Sequence, residues 1–119
     1  MDAIDSFFTG RKLSRQIFEA VRLAIQAIGA AEMKVSRSQV AFRRRVNFAI
    51  LWMPGVPLRR KAAPLVLTLS FRERDASPRW KQIVEAAPGR ISHHLELYSP
   101  VEVDREVSAW LRAAWEAAG

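Results

Sequence analysis

His93 and His94 are the side chains of this sequence best suited to moving a proton near neutral pH. They stand in an alternating stretch, Ile91-Ser92-His93-His94-Leu95-Glu96-Leu97-Tyr98, that reads as a β-strand. Neighbouring strand residues point to opposite sides, so the two rings cannot readily chelate one ion. No third histidine, no cysteine and no His-Glu-x-x-His pattern accompanies them, and no metal or cofactor is expected. One histidine is expected to face the core and be hydrogen-bonded, the other to face the open side. His94 falls on the same side as Ser92, Glu96 and Tyr98. A histidine next to a carboxylate can act as an acid–base pair, so His94, Glu96 and Tyr98 mark one candidate pocket. No matched nucleophile completes it, and no catalytic residue is assigned. Five scattered glycines form neither a phosphate loop nor a dinucleotide fingerprint.

The stronger chemical signal is cationic. The chain has a net charge of +7, unevenly spread. Residues 33–90 hold thirteen basic and three acidic side chains, a local excess of ten, whereas the flanks are neutral or acidic. Such an excess attracts anions over long range. The candidate anion-binding set is Lys34, Arg37, Arg43, Arg45, Arg72, Arg74, Arg79 and Lys81. Arginine forks match phosphate and carboxylate geometry. Trp52, Trp80 or Tyr98 could add a stacking surface of the kind that holds single-stranded nucleic acid. Glu73, Asp75 and Glu96 could instead neutralise several of these cations in surface ion pairs of little consequence.

These residues need a sheet to position them. Gln39–Arg43 alternates, with Val40 and Phe42 together. Phe48–Met53 is apolar throughout and stops at Pro54-Gly55, as in a strand buried on both faces. In Leu65–Phe71 the leucines and Phe71 take one side; Val66, Thr68 and Ser70, then Arg72, take the other. A short first strand fits Glu32–Ser36, and Arg43–Asn47 carries a hairpin bend. Pro54–Pro64, with Arg59, Arg60 and Lys61, is read as a connecting loop.

Helices flank these strands. Residues 1–12 form a lead-in in which Phe7 and Phe8 pack on the first helix. Leu13, Ile17, Val21, Ala24 and Ile28 recur at helical spacing, capped by Thr9 or Ser14 and ended by a left-handed Gly29. Ser77-Pro78 signals a short helix carrying Trp80, Ile83 and Val84, stopped by Ala87-Pro88-Gly89. Asp104 caps a final helix with Val107, Trp110, Leu111, Ala114 and Trp115 as its apolar stripe. The expectation is an α+β fold: an antiparallel sheet of four or five strands with three helices, mostly on one face. The order is α-β-β-β-β-α-β-α, the first strand being the least marked.

Several runs together resemble the small bacterial domains known as domain of unknown function 5655. They are Lys34 with Ser36-Arg37-Ser38-Gln39-Val40-Ala41-Phe42, then Phe48-Ala49, Ser77-Pro78-Arg79-Trp80-Lys81, His93-His94-Leu95-Glu96-Leu97 and Trp110-Leu111-Arg112-Ala113-Ala114. The resemblance spans Phe7 to Ala117 and implies a small cytoplasmic α+β domain, with no known activity.

The 119 residues suit one domain, 1–119, with a core that needs no disulfide. No signal peptide or membrane span is evident, so a cytoplasmic protein without a membrane partner is expected. The function expected is a non-enzymatic binding module for an anionic partner, nucleic acid or an acidic small molecule, through a basic sheet face. A self-associating interaction domain, such as a homodimer, and an acid–base enzyme using His94 and Glu96 are the alternatives.

Overall fold

The computed structural model describes residues 2–55 and 62–119. Arg59, Arg60 and Lys61 fall outside the described residues.

Six antiparallel strands form one sheet: β1 (Glu32–Val35), β2 (Val40–Arg43), β3 (Asn47–Trp52), β4 (Leu65–Phe71), β5 (Gln82–Ala87) and β6 (Arg90–Leu97). Their spatial order is β1-β2-β3-β4-β6-β5, so β1 and β5 are the edges. Three α-helices accompany them: α1 (Ala3–Phe7), α2 (Lys12–Ile28) and α3 (Arg105–Ala117). The fold is α+β, with one more strand than the upper expectation. Among the described residues no helix is long and apolar enough to cross a membrane.

The leucines of β4 explain the layering. Leu65, Leu67 and Leu69 are fully buried, as are Val40, Leu51 and Leu97 on β2, β3 and β6. The apolar stripes of α2 (Ile17, Phe18, Val21, Ile25) and α3 (Val107, Leu111, Ala114) cover this side. The other side has no helix among the described residues. Its central row, read through the register, is Lys34-Ala41-Ile50-Thr68-His94-Gln82.

Phe48 shows why β3 looks apolar at every position. The β2–β3 register shifts beyond Phe42, which pairs with Ala49, while Arg43 pairs with Asn47. This bulge leaves Phe48 unpaired and lets it reach the helical side, where it joins the core with Ala114 and Ala118. A regular pleat would have put it on the open face.

Four local expectations fail. The segment after Ser77-Pro78 is not a helix; Gln82–Ala87 is strand β5, and Pro88-Gly89 turns it into β6. Gly89 has φ +72°, the value a Pro-Gly turn of type II requires. Helix α2 has no side-chain cap: Ser14 lies inside it and donates to the Pro64 carbonyl at 2.7 Å. Leu13, placed on its apolar stripe, is 44% exposed. The lead-in is itself partly helical, since Asp2 and Asp5 close a capping box around α1. Phe8 does pack on Phe18 of α2, their centroids 5.1 Å apart.

Gly29 follows α2 but is extended (φ 169°), not left-handed. Glycine is needed there for space. A Cβ would lie 2.5 Å from the Trp115 ring, whose Nε1–H donates to the Ala30 carbonyl at 2.8 Å. Gly29→Ala is expected to cost about 1–3 kcal/mol through this overpacking. Urea denaturation checks it; an unchanged midpoint would show that Trp115 yields freely.

Candidate functional site

The open face is not cationic along its central row. Its row holds one cation, Lys34, on the exposed edge; the middle is Ala41, Ile50 and Thr68. Arg43, the last residue of β2, shares the parity of Ala41 and lies at the rim of this face opposite Glu32. Arg43 stands at the bulge, Arg45 in the bend, and Arg72 just beyond β4.

These arginines gather instead at one end of the sheet. β2 finishes there with Arg43, β3 begins after Arg44 and Arg45, β4 finishes before Arg72 and Arg74, and β6 begins with Arg90. The pairing of Phe71 with Ile91 sets Arg72 and Arg90 at adjacent strand ends. α3 ends at the same place. Arg44 donates to the Trp115 carbonyl at 2.9 Å and lies 3.6 Å over the Trp115 ring. Arg72 reaches the Ala117 carbonyl at 3.4 Å, and the Arg45 amide donates to the Ala118 carbonyl at 2.9 Å. Cations suit the partial negative charge of a helix C-terminus. Arg44 is thereby engaged by the fold. Arg43, Arg45, Arg72, Arg74 and Arg90 are exposed. Among the described residues none of the five forms an ion pair with a carboxylate.

Two clefts open beside Arg72 and share Phe71, Arg72 and Ala117 as walls. One, of about 270 Å³, runs between Val46, Phe48 and Arg90 on the sheet side and Ala114 on α3. The other, of about 430 Å³, lies between Glu73, Arg74 and Asp75 and the Trp110 and Ala113 side of α3. Alanines on α3 leave this room.

The other predicted cations lie elsewhere. Arg37 sits in the β1–β2 turn, at the opposite end of the sheet from Arg43. Lys81 precedes edge strand β5. Arg79 is occupied: it meets Asp104 at 3.0 Å, Glu106 at 2.8 Å and the Glu102 carbonyl at 3.3 Å. Glu106 foremost raises the Arg79 pKa. Asp104 is held below the usual carboxylate range, first by the Val107 amide it caps and then by Arg79. That knot fastens the Arg79 loop to α3.

Each histidine has its own place. His93 faces the helices and is fully buried. The Asp75 amide donates to its Nε2 at 3.0 Å, so the proton of the neutral ring lies on Nδ1, 3.1 Å from the Ile91 carbonyl. Burial lowers its pKa. His94 faces the open side, its Nδ1 2.7 Å from the Thr68 hydroxyl, which accepts from Trp52 Nε1 at 3.0 Å. The proposed partnership with Glu96 does not form. Burial alone lowers the His94 pKa, whereas a coupled carboxylate would raise it. Glu96 instead accepts from the Tyr98 hydroxyl at 3.2 Å. Glu96 and Tyr98 line a shallow cleft with Arg79 and Lys81, and His94 is not part of it.

Arg90 is the member of the cluster that sequence reasoning missed. The signal was the Pro88-Gly89 turn: read as a hairpin, it carries Arg90 back to the end of β4. Among the described residues there is no group of three or more acidic or histidine side chains able to hold a metal ion.

Comparison with curated proteins and with solved structures gave no match. The model of the family described as domain of unknown function (DUF5655) matches residues 4–118, nearly the whole of the sheet and helices described above. The chain belongs to the DUF5655 family.

Proposed function

We propose that this protein is a non-enzymatic binding module for an anionic partner, in a cytoplasmic setting that suits a chain without cysteine. Arg43, Arg45, Arg72, Arg74 and Arg90 are its cation set. The observation that carries this reading is their convergence on one sheet end without carboxylate partners among the described residues. Paired arginines, such as Arg79, have their forks already filled. Unpaired ones can give an anion charge-assisted hydrogen bonds, each contributing about 0–1 kcal/mol at an exposed site. Lys34, Arg37 and Lys81 add to the field that draws the anion in.

Inorganic polyphosphate titrated calorimetrically is the direct test. Binding is expected to weaken steeply with salt, and Arg72→Ala with Arg90→Ala to reduce affinity at least tenfold. Binding absent at low salt, or indifferent to those substitutions, would remove the proposal.

The sheet face without a helix among the described residues supports a second reading, self-association. Ile50 and Trp52 are half-buried there and Val84 is 40% exposed. Sedimentation at high concentration distinguishes it, since a strict monomer would count against it.

A further inference from the structure

We infer that the anion is a single-stranded nucleic acid, laid across the arginine end of the sheet with bases entering the clefts beside Arg72. This rests on the anion-binding reading above.

The shape of the cation set is the first argument. A lone phosphate or carboxylate is best held by donors that converge on a point. These arginines come from the ends of four neighbouring strands, β2, β3, β4 and β6. At roughly 4.8 Å per strand the row runs about 14 Å. A row of that length meets successive phosphates of a chain.

The walls of the clefts are the second. Phe71 and Val46 on the sheet side, and Ala113 and Ala117 on α3, present apolar surface between the cations. Val46 is 46% exposed at the hairpin bend amid the three arginines. Apolar surface interleaved with guanidinium groups suits the faces of unstacked bases. A duplex keeps its bases stacked inside and would leave both clefts empty, and a simple polyanion has nothing to place in them.

Glu73 is the third. It lines the larger cleft beside Arg74. A carboxylate there repels a phosphate but can accept from a base amino group. The cleft is therefore a base position, and the backbone runs along Arg43, Arg45, Arg72 and Arg90.

The test compares a mixed-sequence single strand of about ten nucleotides, its duplex and inorganic polyphosphate by competition. The single strand is expected to bind at least tenfold more tightly than the other two. Its log–log salt slope should be about −2 to −3, for three or four phosphates at 0.7 each. Arg90→Ala should flatten that slope by about 0.7. Ala113→Leu, at an exposed helix position, fills the larger cleft. It should weaken single-strand binding about tenfold and leave polyphosphate binding unchanged. Polyphosphate or duplex binding as tightly as the single strand, or a silent Ala113→Leu, would overturn this inference while leaving anion binding intact. Failure of all three probes to bind would remove both.

Discussion

His93→Ala is expected to destabilise the fold by about 3–5 kcal/mol, measured as a shift in the urea midpoint. The ring is fully buried, with Phe71 4.6 Å and Trp80 5.0 Å away between centroids. Its loss opens a cavity and also leaves the Asp75 amide without an acceptor. Asp75 organises the loop into β5: its carboxylate accepts from the Ser77 amide at 3.1 Å and from Trp80 Nε1 at 2.8 Å. The same ring gives stability a pH dependence. Burial depresses its folded pKa below 6.5, so the unfolded chain takes up the proton first as pH falls. The stabilisation is complete above pH 6.5 and is lost as pH falls through the folded pKa. His94 is depressed likewise and contributes in the same direction. The His93 variant should show a flatter profile as pH falls below 6.5; an unchanged slope would show that this imidazole is not its source.

Trp110→Ala is expected to cost a similar 3–5 kcal/mol. Trp110 joins α3 to the β4–β5 loop by stacking on Trp80 at 4.1 Å, and Arg79 lies 5.5 Å over its ring. Trp110 and His93 both touch Trp80, so they act as a unit. The double variant should depart from additivity by about 1 kcal/mol or more. Simple addition within error would mean that the aromatic cluster is a set of independent contacts.

Residues with a clean period carried most of the architecture. The leucines of β4, the stripe of α2 and the Asp104-capped α3 declared themselves because each buries one repeating face. β5 did not. As an edge strand it buries little, so its sequence carries no alternation, and Pro88-Gly89 serves equally as helix terminator and hairpin turn. The cations were legible as a charge excess but not as a place. Where Arg45 and Arg72 lie depends on where the hairpin bends and on where β4 stops, and neither leaves a periodic trace. Gly29 was marked by type but for the wrong reason, since its constraint comes from Trp115, far along the chain.

That last contact bears on how the molecule is made. A nascent chain leaves the ribosome from its N-terminal side, and domains fold largely as units during synthesis. α3 emerges after all six strands, yet it supplies Val107, Leu111 and Ala114 to the core and the indole that fastens to Ala30. Until then the leucines of β4 have half their roof. The growing polypeptide therefore passes through a stage with sticky surface uncovered, when a chaperone has most to protect.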